Sequence, residues 1–209
     1  MLNPHPLRTP ILDWLADHVP PARIQHILGV EQMSIELAQH YQLDAIKAQL
    51  AGLMHDLAKY YKPALLLEMA RTHGLSLDPI LEEHPHLLHA DVGAIVARKE
   101  FNIEDPEILQ AIANHTLGQP HMTPLSCVVF LADSLEPNRG DTPELNHRRT
   151  LCFQSLHHGV WRTSDYTLNH LMTSAKVIHP RAVLTRNWAL SCHKQASKPK
   201  IMSQPKNDP

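Results

Sequence analysis

The sequence predicts an all-α fold. Apolar residues recur at helical spacing along almost the whole chain, strand-like alternation is nearly absent, and Leu, Ala and Ile abound where Thr, Tyr and Phe are scarce. With 209 residues and 43% hydrophobic content, one compact domain of about seven to nine helices is expected over residues 1–194, followed by a disordered tail over 195–209 rich in Ser, Pro, Lys, Gln and Asn.

A first short helix fits Leu7 to His18, where Ile11, Leu12, Leu15 and Val19 form one stripe, and Pro20-Pro21 ends it while opening the next. The second runs from about Pro21 to Tyr41. A third, with Asp44 as its N-cap, extends to about Lys59 and carries Ile46, Leu50, Leu53, Met54 and Leu57. Pro63 starts a fourth through Arg71, closed by Gly74. After a connection at Pro79 to Pro85, helices are expected from His86 to Glu100, Pro106 to His115 and Pro124 to Leu135. A turn-rich link over Pro137 to Pro143 leads to two last helices, Glu144 to Met172 and Arg181 to His193, read as structural support.

Lys plus Arg is 19 and Asp plus Glu is 21, so a formal charge of −2 offers no field for a nucleic-acid backbone. The longest apolar run, Cys127 to Ala132, is far too short to span a membrane, and no signal-peptide pattern opens the chain. A cytoplasmic protein is expected, bound neither to nucleic acid polymers nor to membrane, acting alone or as a homodimer. Cys127, Cys152 and Cys192 have no disulfide or thiolate-zinc spacing. With seven Gly and neither a P-loop nor a dinucleotide-binding glycine pattern, any phosphate chemistry must use metal or basic side chains.

Seventeen His are the unusual count, and imidazole is the commonest metal ligand. Most have no acidic or histidine partner at informative spacing and read as surface residues. His55-Asp56 differs, because it sits near the end of an otherwise apolar helix, where a buried carboxylate needs a cation or a hydrogen-bond network. His26 lies on the second helix, His89 opens a helix, His115 ends one and Asp133 ends the apolar stretch of another. Four imidazoles and two carboxylates suit one or two borderline divalent ions, and six ligands are too many for one catalytic zinc. His86 is a rival to His89.

Five separated segments are similar to the YqeK family of HD-domain phosphohydrolases: Arg-x-x-His26, Ala-Gly-Leu-Met-His-Asp-Leu-Ala-Lys, Leu-Leu-His-Ala-Asp-Val-Gly-Ala, Ala-Ile-Ala-Asn-His-Thr-Leu-Gly and Phe-Leu-Ala-Asp-Ser-Leu-Glu-Pro-Asn-Arg. The resemblance covers about residues 20–172 and implies an HD-domain helical bundle around a dinuclear metal site. The implied activity is symmetrical hydrolysis of a dinucleoside polyphosphate, diadenosine tetraphosphate giving two ADP, by a metal-bridged water at a di-iron centre, with manganese, cobalt or zinc as alternatives. By the same resemblance His26, His55, Asp56 and Asp133 would hold one ion, Asp56, His89 and His115 the other, and Asp56 would bridge them. Lys59 and Arg139 would serve catalysis as cations facing the phosphates, and Glu136 and Thr116 would contact substrate. Ser134 stands where an aromatic is commoner in the family.

Three other readings carry different consequences. One is another HD-type nucleotide phosphohydrolase, a nucleotidase or dNTPase, which a nucleotide panel separates. Another is a catalytically slow nucleotide-sensing regulator, which has no need of a complete ligand set. The third is an α-helical interaction protein with incidental histidines, which metal analysis of the purified protein distinguishes.

Overall fold

The computed structural model describes residues 5–197, and among them every regular element is helical. Eleven α-helices follow in order: α1 (Arg8–His18), α2 (Pro21–His40), α3 (Ala45–Met54), α4 (Pro63–Thr72), α5 (Pro79–Glu83), α6 (His89–Phe101), α7 (Pro106–Asn114), α8 (Pro124–Leu135), α9 (Pro143–Gln154), α10 (Leu156–Thr173) and α11 (Pro180–Ala196). Short 3₁₀ turns cover Pro85–Leu88 and Pro137–Arg139. None of the described helices is long and apolar enough to cross a membrane.

Local chemistry sets the boundaries. Prolines occupy the first turn of α2, α4, α5, α7, α8, α9 and α11, where a missing N–H costs nothing. Asp44 caps α3 by accepting from the Ile46 and Lys47 amides at 2.8 and 3.1 Å, and Thr123 caps α8 through the Ser126 amide at 3.2 Å. Gly74 adopts φ +70° after α4, a conformation that only glycine takes without strain.

Eleven helices exceed the expected seven to nine for two reasons. Asp78 accepts from the Leu81 amide at 2.9 Å and so starts α5 inside the expected connection. The single helix expected over Glu144 to Met172 breaks at Ser155, which is extended at φ −163° and caps α10 through the His158 amide. The C-terminal helix continues through Ala196, two residues into the expected tail. Residues 198–209 of that tail lie outside the described residues.

Helix α2 runs through the middle, with α3 and α8 packed on it. Its Ile27 joins a core built with α1, α3, α6 and α7, whereas Val30, Met33 and Leu37 join a second core with α8 to α11. Each fully buried Leu or Ile, such as Leu53 or Ile112, contributes roughly 1.5–3 kcal/mol. The buried Glu31 of α2 ties these layers, accepting from Arg8 of α1 at 2.7 Å and from Gln49 of α3 at 2.9 Å. At Gly52 a Cβ would come within 2.8 Å of Ser34 Oγ, so glycine lets α3 approach α2 closely enough to set His55 beside His26.

Candidate metal centre

All four candidate imidazoles and both carboxylates meet at one place in the bundle, where α2 and α8 face the end of α3, the start of α6 and the end of α7. His26, His55, Asp56, His89 and His115 are buried, Asp56 and His55 completely so. They form two triads, His26–His55–Asp56 and Asp56–His89–His115, with Asp56 common to both. Asp56 Oδ2 lies 3.2 Å from His55 Nε2, and Oδ1 lies 3.5 and 3.6 Å from His89 and His115 Nε2. Asp133 Oδ1 completes the first side at 3.1 Å from His26 Nε2 and 3.8 Å from His55 Nε2.

The His-Asp pair does not end a helix in the way its sequence suggests. Helix α3 stops at Met54, and residues 55–60 form successive turns. The orphan carbonyl of Gly52 at this helix end accepts a hydrogen bond from His55 Nδ1 at 2.7 Å. His115 repeats the device after α7, donating Nδ1–H to Ile112 O at 2.8 Å, and His89 donates to His86 O at 2.6 Å. His26 donates instead to Glu136 Oε1 at 3.0 Å. A carbonyl or carboxylate can only accept, so each Nδ1 holds the proton and each Nε2 presents a lone pair.

Those lone pairs converge without a protein donor for each of them. His26 and His55 Nε2 are 3.3 Å apart, and His89 and His115 Nε2 are 3.2 Å apart. Neither carboxylate oxygen of Asp56 has a well-formed hydrogen bond, although the Arg23 guanidinium is pressed against Oδ2. Burial opposes the Asp56 charge, but the neighbouring His55 and His115 carry its carboxyl well below the usual range. Burial, with the neighbouring His115 and Lys59, pushes His89 down to about 3, so it stays neutral at physiological pH. Imidazole nitrogens facing one another around an ionised, buried carboxylate fit divalent cations of borderline softness, each imidazole being fixed by a hydrogen bond on its far side.

Three cations surround this set. Arg139 donates to Asp133 Oδ1 at 2.8 Å, Lys59 Nζ lies 3.1 Å from His89 Nε2, and Arg23 reaches Asp56. Burial lowers the Lys59 ammonium below its ordinary value. Thr116 Oγ1 is 3.0 Å from both His89 and His115 Nε2. Arg23 was identified by sequence only as the start of Arg-x-x-His26, with no role assigned. Its signal is the three-residue spacing, which places it one helical turn before His26 on the same face.

The packing also places Glu136 and His86. Glu136, expected to contact substrate, is 1% exposed, with Oε1 taken by His26 and Oε2 accepting from the Asn138 amide at 2.6 Å. Its place is behind His26, holding that ring. His86, the rival to His89, belongs to neither triad: it offers the centre its backbone carbonyl while its ring lies beside His84.

Gly29 shows how tightly Glu136 is held. A Cβ there would stand 2.2 Å from Glu136 Oε2 and 2.9 Å from Asn138 Nδ2. The Gly29→Ala protein is therefore expected to lose about 10–100-fold in metal affinity on the His26 side, the usual effect of disturbing such an outer partner. Competitive titration with a chromogenic chelator checks this, and unchanged affinity for both ions would contradict it.

The chain matches the HD domain family over residues 23–138. It is 36% identical over 179 residues to the protein of Halalkalibacterium halodurans named bis(5′-nucleosyl)-tetraphosphatase, symmetrical, covering 86% of this chain and 95% of that one. The Bacillus subtilis protein of the same name is 34% identical over 169 residues, covering 81% and 90%. A crystal structure described as a predicted HD superfamily hydrolase involved in NAD metabolism from Clostridium acetobutylicum superposes with a TM-score of 0.84 at 29% identity, covering 88% of this chain and 97% of that one.

Proposed function

This chain belongs to the HD-domain family, among its symmetrical bis(5′-nucleosyl)-tetraphosphatases, and we propose that it cleaves diadenosine tetraphosphate into two ADP at the Asp56 centre. The observation that carries this reading is the pair of buried triads sharing one carboxylate. His26, His55, Asp56 and Asp133 would hold one divalent ion and Asp56, His89 and His115 a second. Iron is the metal we expect, with manganese, cobalt or zinc as alternatives that the same donors accept. Such ions supply Lewis acidity and lower the pKa of water.

The remaining residues have separable tasks. Gly52, His86 and Ile112 carbonyls and the Glu136 carboxylate keep each imidazole in one tautomer and aim its Nε2 at the centre. Lys59, Arg139 and Arg23 bring positive charge to where a polyphosphate chain would pass, and fixed cations at a buried site stabilise charge that grows on phosphoryl oxygens. Thr116 offers a hydroxyl at the edge of the second triad. Symmetrical cleavage requires the four-phosphate chain to be centred, so that ADP leaves from both halves. Three free cysteines suit a reducing compartment, and we place the protein in the cytoplasm.

The test is incubation of protein reconstituted anaerobically with ferrous iron with diadenosine tetraphosphate, and separation of products by chromatography. ADP alone is expected. AMP plus ATP would put the attack at an outer phosphorus and overturn the reading, and absence of metal-dependent product would do the same.

A further inference from the structure

We propose that Arg181 of α11 is a positioning residue for the second triad. Its guanidinium ties the helix that begins with His89 to the end of the helix that leads to His115, and so sets how those two imidazoles stand toward each other. This rests on the two-ion reading above and gives a specific task to a helix that the sequence presents only as structural support.

Arg181 makes both ties with its terminal nitrogens. Nη1 lies 3.3 and 3.2 Å from the two carboxylate oxygens of Asp91 on α6, and Nη2 donates to Ala113 O near the end of α7 at 3.1 Å. Each partner stands two residues from an imidazole of the triad, Asp91 after His89 and Ala113 before His115. Residues two apart on a helix face nearly opposite sides, so Asp91 can be held from behind while His89 faces the centre. Ala113 O belongs to the helix end, where carbonyls lose their intrahelical partners. Its neighbours are satisfied locally, Ile112 O by His115 Nδ1–H at 2.8 Å and Asn114 O by the Gly118 amide at 2.9 Å. Arg181 supplies the donor for the carbonyl between them. A planar fork suits this double hold, which a flexible ammonium would not reproduce.

Helix α11 is itself fixed on both sides of Arg181. His179 caps it by accepting from the Arg181 amide at 3.1 Å and donates Nε2–H to Asp78 at 2.8 Å. One turn further on, the buried Thr185 hydroxyl lies 3.0 Å from Leu117 O, two residues past His115. A Cβ at Gly118, where φ is +62°, would collide with the Thr185 side chain. Glycine at that position therefore lets α11 lie directly on the turn that carries His115 and Thr116. The first triad is held by other groups, His26 by Glu136 and His55 by the Gly52 carbonyl, so loosening Arg181 should be felt at one ion.

Cobalt(II) binding to the full chain, measured by competition with a chromogenic chelator, tests this without hydrolysis. Arg181→Ala should weaken one of the two ions about 10–100-fold, the usual effect of disturbing an outer partner of a metal ligand, and leave the other nearly unchanged. To assign the affected ion, the same change is made in His26→Ala, which removes a ligand of the first: the remaining cobalt should weaken again. Arg181→Lys keeps a charge beside Asp91 without the fork and should recover part of the affinity; if Arg181→Ala fails to fold, Arg181→Lys decides by the same measurement. Arg186→Ala controls for plain anchoring of α11, since Arg186 pairs with Asp165 of α10 at 2.6 Å. It should lower the melting temperature and leave both cobalt affinities as they were. Unchanged affinities in Arg181→Ala, or equal losses in Arg181→Ala and Arg186→Ala, would overturn the proposal. Selective loss of one ion in a protein that leaves diadenosine tetraphosphate uncleaved would support the positioning role and sink the activity. Normal cleavage to ADP with both ions held equally well in Arg181→Ala would do the reverse.

Discussion

Asp56→Ala is expected to abolish hydrolysis and metal retention together. Among the described residues Asp56 is the one carboxylate common to both triads, with Oδ2 3.2 Å from His55 Nε2 and Oδ1 3.5 Å from His89 Nε2. Without it the second triad keeps only two nitrogens, and the first keeps two nitrogens and the Arg139-bound Asp133. Loss of the ions removes several kcal/mol of charge stabilisation, so turnover should fall by about 10³-fold or more. The fold should survive, because α3 ends before Asp56 and its apolar face is untouched. Asp56→Asn controls for shape: it keeps the side-chain volume but supplies a neutral amide, and it should lose the ions as well. Elemental analysis of the purified proteins, ADP release by chromatography and a thermal melt by circular dichroism give the three readouts. Two ions per chain and near-normal activity in Asp56→Ala would remove the bridging role.

The helices and the polar residues at their ends were legible in the sequence for the same reason. An apolar run needs no explanation inside a core, so a His or Asp placed where the run stops is conspicuous, and His55, His89, His115 and Asp133 all occupy such places. What periodicity misses is anything decided by one local hydrogen bond. Ser155 interrupts a pattern that continues on both sides of it, and Asp78 starts a helix too short to show a stripe. Contacts across the chain are hidden as well. Glu136 reads as an acidic residue three positions before Arg139, expected to contact substrate, and only its 3.0 Å contact with His26, 110 positions away in sequence, makes it the group that holds that ring. Arg23 is similar, since helical spacing puts it beside His26 but not against the carboxylate of Asp56, which comes from the turn after another helix. The residues that could hold ions were thus visible one by one, whereas those that orient or neutralise them needed the packing of α2 on α3 and α8.

Lys59→Ala should separate the two kinds of positive charge at the centre. Lys59 follows Asp56 by one turn, in the stretch where Lys59 N donates to Asp56 O at 3.0 Å, and its ammonium is carried over His89. It adds no ligand, so both ions should remain bound after its removal. Burial already lowers its pKa, which marks an ammonium that has given up part of its hydration and gains more from an incoming phosphate than a surface lysine would. If that gain is larger for the charge that develops during cleavage than for the ground state, kcat falls and KM moves little. Removing one such preorganised donor costs about 10²–10³ in kcat. Lys59→Arg should recover only part of the loss, since a planar guanidinium cannot occupy the same point as an ammonium. Steady-state kinetics beside elemental analysis decides the matter. A Lys59→Ala protein with its two ions and an unchanged kcat would show that the ions alone neutralise the phosphates, and one that loses an ion would make Lys59 a support for His89 instead.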